Sequence, residues 1–268
     1  MDILQVHNFD KVDDPVKTEE VIYRYFINNH QSIGTHYTYV AMPIAWIINN
    51  YGLNTTQELI DKIDKSNPNK KLFFVCQHIL VSNLNFHNHL VFTPHATILD
   101  SYMPMPHYSC NYDEEFKRPW EDREYDFSFM GSYDTHEVRK RLEGAFTGSE
   151  RVCFIDTGSW HFHSDIEKKK INKQKYVELL GNTKYSLCPR GTGPSTIRIW
   201  EAMAMGSRPI ILSDYLKMPL ERELETNLWT KKPESCKDFH LPVGSYDNQE
   251  YWKYFCNENL QASILNFL

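Results

Sequence analysis

Arg190 stands beside Gly191 and Gly193 and just ahead of Pro194, Ser195 and Thr196, in the stretch KYSLCPRGTGPSTIRIWEAMAMGSRPIILSD at 184–214. These residue types suit an anion. A guanidinium makes planar two-point contacts with phosphate, glycines let a ligand approach the backbone, and free N–H groups at a helix start carry positive potential. YSLC reads as a strand, PRGTGP as the turn at its C-terminal end, and Pro194 as the first residue of a helix that stops at Gly206. Glu201 lies seven residues past Pro194, which is about 10 Å along a helix rising 1.5 Å per residue. That is close to the span from a diphosphate to the ribose of a nucleotide, and a carboxylate there can accept hydrogen bonds from both ribose hydroxyls. The stretch reads as a nucleotide-diphosphate cradle. The alternative is a structural strand–turn–helix with Arg198 and Glu201 paired at i,i+3 on the helix surface.

Other spacings narrow the chemistry. The chain has no GxxxxGK[ST] and no GxGxxG after a first strand, so neither a P-loop nor a dinucleotide oxidoreductase is expected. It has no Asp-x-Asp, and metal-free chemistry without a cofactor is the expectation. Gly131 and Ser132 end the strand-like DFSFMGS, either as a second loop facing the ligand's phosphates or as a simple turn. In IDTGSWHFH, Trp160 reads as a core residue or as a platform for a nucleobase. His161, His163 and the HNH at 87–89 raise the question of a metal, but the spacing of a closed zinc site is absent.

Elements of alternating type must position these residues. Short apolar runs at 39–46, 71–77, 89–94, 126–132, 151–156, 185–189 and 208–212 predict strands covered on both faces. Helical patterns lie near 18–30, 55–66, 136–146, 167–182, 194–205 and 247–268. The alternation predicts an α/β protein with parallel sheets and crossover helices. Residues 101–125, rich in Pro, Tyr and charge, read as a linker or lid. The expected organisation is an N-terminal lobe at 1–125, a ligand-binding lobe at 126–245, and a C-terminal helix at 246–268 packing back on the first lobe.

With 268 residues, the chain is long enough for one large domain or two small ones with separate cores. The formal net charge of −6 argues against nucleic acid as the main partner. No run approaches the length of a membrane span. MDILQVHNFD lacks the basic start and apolar core of a leader, and the six scattered cysteines include no CxxC. The expectation is a cytoplasmic protein with reduced thiols.

LCPRGTGPSTIRIWEAMAMGSRPIILSD strongly resembles the signature of exostosin-like glycosyltransferases, glycosyltransferase family 47: an apolar strand, C-P-R-G-x-G, a Ser-rich helix start, R-x-W/F-E-A, a Gly, then P-V/I-I-L-S-D. DFSFMGSYDTHEVRKRL, and more weakly YVAMPIAW and FFVCQH, are similar to other segments of that family. The resemblance implies a GT-B fold, two Rossmann-like lobes facing a cleft, with the donor held mainly by the C-terminal lobe. It also implies inverting transfer from a nucleotide sugar, commonly a UDP-sugar. Without a membrane anchor, the chain resembles the compact soluble members of bacteria and large DNA viruses more than those of animals and plants.

The expected partners are therefore a nucleotide-sugar donor and a glycan acceptor, and xylose, galactose and glucuronate are the plausible sugars. The donor site takes Gly131, Ser132, Arg190, Gly191, Gly193, Ser195, Thr196 and Glu201, with no metal. Arg190 stabilises the leaving group. The general base comes from the first lobe: His78, at the end of FFVCQH, is the first choice, with His95 and the pair Asp13 and Asp14 as alternatives. Two further readings stay open: a non-catalytic module that binds a sugar nucleotide or glycan in support of a partner transferase, and a phosphate-binding enzyme such as a phosphorylase or epimerase.

Overall fold

A computed structural model of the chain describes residues 1–12, 17–146, 151–158, 165–221, 228–237, 239, 246, 252 and 255–268. The chain forms two compact units. One comprises Met1–Tyr108, Tyr215–Pro219 and Asn257–Leu268, the other Ser109–Asp214 and Leu220–Cys256.

In the first unit, β1 (Asp2–Gln5), β2 (Tyr37–Ala41), β3 (Lys71–Val75), β4 (Leu90–Thr93) and β5 (Met103–Pro104) form one parallel sheet in chain order. Side chains alternate across it. Val40, Leu72, Phe74 and Val91 pack with α2 (Ile44–Ser66), while Tyr39, Phe73, Val75 and Phe92 pack with α1 (Lys17–Asn29) and with Leu260 and Ile264 near the C-terminus. Both faces are covered, which is why the strands read as apolar runs. The expected strand at 39–46 is shorter: β2 stops at Ala41, and α2 begins at Ile44 directly after Pro43. A brief apolar run does not distinguish a buried strand from a buried helix. Gly52, at φ +83°, interrupts α2.

In the second unit, β6 (Tyr125–Gly131), β7 (Val152–Asp156), β8 (Thr183–Pro189), β9 (Arg208–Leu212) and β10 (Thr230–Lys232) form a parallel sheet in the order β10-β9-β8-β6-β7. One face packs with α3 (Glu137–Leu142), the other with α4 (Ile166–Gly181) and α5 (Arg198–Ala204). The chain runs outward from β6 to β7, then returns past β6 to β8. The order reverses between β6 and β8, and ligands of open α/β sheets bind at the C-terminal strand ends of such a switch point. Two parallel-sheet α/β units are what the GT-B expectation requires. No helix among the described residues is long and apolar enough to cross a membrane.

The structure corrects two boundaries. Residues 109–125 are no linker, because they are bonded into the second unit. The buried Arg123 donates to the carbonyls of Arg118, Thr183 and Met205 at 3.1, 2.6 and 2.8 Å, and Arg118 N–H donates to Gly181 O at 3.1 Å. At the other end, Tyr246 and Phe255 stay with the second unit, and only Asn257–Leu268 joins the first. Of the expected helix at 247–268, residues 247–251, 253 and 254 lie outside the described residues, and Ala262–Leu265 is helical. Short pairings escaped the sequence altogether, since β1, β5 and β10 are too brief to show a period.

Candidate functional site

The C-terminal ends of β6 and β8 deliver Gly131, Ser132 and Arg190 side by side at the switch point. Arg139, on α3, ties them together. Its Nη1 donates to Ser132 O at 3.1 Å, its Nε to Arg190 O at 2.9 Å, and its Nη2 approaches Pro189 O at 3.4 Å. From α5, Arg198 donates through Nη2 to Met130 O and lies over the rings of Phe129 and Tyr176, at 4.4 and 5.6 Å. Both arginines are buried, at 7% and 6% exposure. Neither has a carboxylate within ion-pair distance among the described residues. Burial, and then the neighbouring Arg198 charge, push Arg139 down to about 9. Arg198 Nε and Nη1 and Ser195 Oγ are buried with no hydrogen-bond partner.

At Gly131 and Gly191 the structure shows a further reason for glycine. Neither Gly191 nor Gly193 has positive φ. Instead, a Cβ on Gly131 would sit 2.6 Å from Arg198 Nη2, and one on Gly191 would sit 3.0 Å from Arg139 Nη2. Glycine at these two strand ends admits the buried guanidiniums. Gly206 does take φ +67° just past α5, as the sequence predicts for a helix stop.

The helix of the central motif starts later than Pro194. Residues 191–197 form an open loop and α5 begins at Arg198. The N–H groups of Gly191, Gly193, Ser195 and Thr196 donate to no acceptor among the described residues. Free amides are therefore present, but in a loop rather than along a helix turn. The seven-residue axial distance from Pro194 to Glu201 does not hold.

Glu201 is 1% exposed. Its Oε1 accepts from Asn111 N and Nδ2 at 3.0 and 2.6 Å, and its Oε2 accepts from Tyr176 Oη at 2.7 Å. Burial raises its carboxyl, against those hydrogen bonds and the Arg198 charge. The surface pair of Arg198 with Glu201 is overturned, because both side chains are buried. The half-buried Arg190 approaches Glu234 Oε1 at 3.6 Å. Glu234 Oε2 lies 4.0 Å from His136 Nε2, and burial and then Arg190 push the His136 ring down. Thr196 is half-buried and Gly193 buried in the same loop.

Sequence reasoning missed Arg139 and misplaced Arg198. The available signal was an uncompensated arginine three residues before Glu201 and another eight after Gly131, but no spacing rule says which basic side chain turns inward.

In the first unit, His78 and His95 stand at the C-terminal ends of β3 and β4. Both nitrogens of the His78 ring are engaged: Nδ1 accepts from Leu80 N at 3.1 Å, and Nε2 lies 3.1 Å from Asn49 Oδ1. Asp13, Asp14, Trp160, His161 and His163 lie outside the described residues. In the HNH stretch, His87 faces Asp61 at 2.9 Å and His89 faces Asp64 at 3.0 Å.

Comparison with curated proteins gives no match. Among solved structures, the chain is similar to a "GtfA/B complex" at 11% identity and a TM-score of 0.35, over 93% of this chain and 59% of that one. The chain thus spans 59% of the length of that structure's chain. The exostosin GT47 domain matches residues 60–231, well over half the chain and all of the switch-point residues. The chain belongs to the exostosin GT47 family of glycosyltransferases.

Proposed function

We propose that the protein is an inverting, metal-independent glycosyltransferase that moves a sugar from a UDP-sugar to a glycan hydroxyl, with xylose, galactose or glucuronate as the transferred group. Carrying this reading is a pre-organised anion site: two buried guanidiniums without acidic partners, buried donors on Arg198 and Ser195, and the free amides of the Gly191 loop. Buried donors without partners are costly in a protein that never binds an acceptor.

The acceptor oxygen attacks the anomeric carbon as the bond from that carbon to the diphosphate breaks. The electron pair leaves with UDP, the acceptor proton passes to a base, and the configuration inverts. Charge grows on the diphosphate, and donors fixed before the reaction stabilise it most. Arg190, Arg139 and Arg198 supply that charge, with Gly131, Ser132, Gly191, Gly193, Ser195 and Thr196 lining the phosphates. Glu201 has lone pairs left on its oxygens for a ribose hydroxyl, provided the Asn111 contact yields. Supporting the metal-free reading is the chain's lack of Asp-x-Asp beside this supply of arginines. Supporting a reducing, cytoplasmic compartment are the six scattered cysteines, which include no CxxC pair.

The test is a panel of nucleotide sugars with mixed glycan acceptors, reading nucleotide diphosphate release with and without EDTA. Release from a UDP-sugar, insensitive to EDTA, is the expected result. Tight donor binding with no release from any donor would favour the binding-module alternative. Release abolished by EDTA and restored by Mn²⁺ would sink the metal-free mechanism.

A further inference from the structure

We infer that Glu234 stands in the place of a ligand phosphate between Arg190 and His136, and that an arriving diphosphate displaces it and takes His136 Nε2–H as a further donor. The inference rests on the nucleotide-sugar reading above and adds two residues to its phosphate site. All three side chains belong to the second unit.

Glu234 follows β10, and its carboxylate meets two groups brought there by different elements. Oε1 lies 3.6 Å from Nη1 of Arg190, just past β8, and Oε2 lies 4.0 Å from Nε2 of His136, at the start of α3. One anion therefore faces a guanidinium and an imidazole at once, and at these distances neither contact is a hydrogen bond. A phosphate group carries more charge and more acceptor oxygens than a carboxylate, so it suits the same two donors better. The side chains of Arg190, His136 and Glu234 are 20%, 28% and 15% exposed, so a ligand reaches all three from solvent.

The carboxylate has somewhere to go. Glu234 N donates to Asp214 Oδ1 at 2.8 Å, and that bond fixes the loop after β10 wherever the side chain points. The carboxylate itself is held by Asp214 N, which donates to Oε1 at 3.2 Å. Beside it opens a cavity of about 470 Å³, lined by Arg141, Leu142, Ser235, Cys236 and Lys237. Its two cations offer the displaced acid new partners.

His136 is fixed as a neutral donor by its own hydrogen bond. Nδ1 accepts from Val138 N at 3.3 Å and caps α3, so the ring proton sits on Nε2, the nitrogen that faces Glu234. A second proton would cost the cap. The charges around the ring act in the same direction. Burial and then Arg190, joined by Arg139 and Arg141, push its pKa down against the pull of Glu234. The diphosphate thus meets a neutral N–H beside the permanent charge of Arg190.

Calorimetric titration of the full chain with UDP, and separately with inorganic pyrophosphate, tests this. Glu234→Gln keeps an acceptor for Asp214 N and removes the competing charge. It should bind both ligands about two- to fivefold more tightly, the scale of a partly exposed ion pair that no longer has to be broken. His136→Asn keeps the helix cap, which asparagine makes well, and withdraws the ring N–H. It should melt as the parent does and bind both ligands about tenfold more weakly, by the same factor at pH 6.5 and pH 8. Unchanged or weaker binding by Glu234→Gln overturns the stand-in role, because loss of a merely structural residue does not raise affinity. Parental binding by His136→Asn, or a loss that grows as the pH falls, overturns the neutral donor. Pyrophosphate binding with these responses but no UDP binding upholds the phosphate clamp and overturns the UDP donor instead. Where His136→Asn does not fold, Glu234→Gln decides alone.

Discussion

At the residue scale, the charge proposed to stabilise the leaving group is divided among three arginines that differ in environment. Arg139 and Arg198 are buried and bonded to strand-end carbonyls, so their first contribution is to hold the switch point in shape. Arg190 is the freest of the three: its contacts to Gly191 O and Thr192 O are both 3.4 Å, and Glu234 stands at 3.6 Å. Replacing it should therefore cost little stability and much rate. We expect Arg190→Ala to lower turnover by about 10²–10³-fold, the scale for losing one donor to a developing charge, with a melting temperature close to the parent's. Arg190→Lys should recover only part, since an ammonium lacks the planar two-point contact. Steady-state kinetics on the three proteins check this, and parental kcat in Arg190→Ala would remove the residue from the mechanism. Arg190 was legible in the sequence because it stands in a loop between a strand and glycines. Arg139 and Arg198 were not legible, because their work depends on burial, and the cue that reveals it is the absence of a Cβ on Gly131 and Gly191.

At the element scale, strands and long helices could be read wherever burial on both faces left a continuous apolar run. The starts of α2 and α5 could not. Pro43 and Pro194 look alike in sequence as helix openers, yet α2 starts one residue after the first and α5 four residues after the second. What fixes α2 is a tertiary contact, since Ala45 N donates to both oxygens of Glu19 on α1, each at 3.2 Å. The same carboxyl accepts from Gln77 N, so one buried acid joins α1, α2 and the end of β3. Its burial has a pH consequence. A folded value near 8, against 4.5 when exposed, means that Glu19 stabilises the fold fully below about pH 4.5 and loses that contribution as pH rises toward 8. His95 and His107 act oppositely. Their folded values lie below the ordinary 6.5, so they stabilise fully above about pH 6.5 and less as pH falls toward 4. These groups together place the first unit's stability maximum near pH 6.5. Thermal melts from pH 5 to 9 should show it. Glu19→Gln, which keeps an acceptor for Ala45 and Gln77, should flatten the alkaline decline, and an unchanged decline in that variant would refute the role of Glu19.

At the scale of the whole molecule, each unit carries a sheet, a core on both faces and its own set of polar groups at the strand ends. The two sets differ in chemistry. Those of the second unit are cationic and rich in donors, while those of the first are neutral imidazoles and buried acid. A diphosphate has reason to bind only the former. Residues 109–125 belong on that side, because a Cβ on Gly181 would lie 2.1 Å from Phe116 O, closer than any side chain tolerates, and Asn111 is bonded to Glu201. The composition of that segment could not reveal this: Pro, Tyr and charge read as a linker when the bonds that fix it run to residues 60 to 92 positions away in sequence. Hydrogen exchange with and without UDP separates the two assignments. We expect protection at β6, β8, the Gly191 loop and α5, and also across 109–125, because a ligand that reaches Glu201 must act on the Asn111 contact. Residues 1–100 should change far less. Equal protection of both units, or protection of the first alone, would contradict the donor site. Unchanged exchange at 109–113 alongside protection of the Gly191 loop would leave the phosphate cradle standing and remove Glu201 from the ligand's reach.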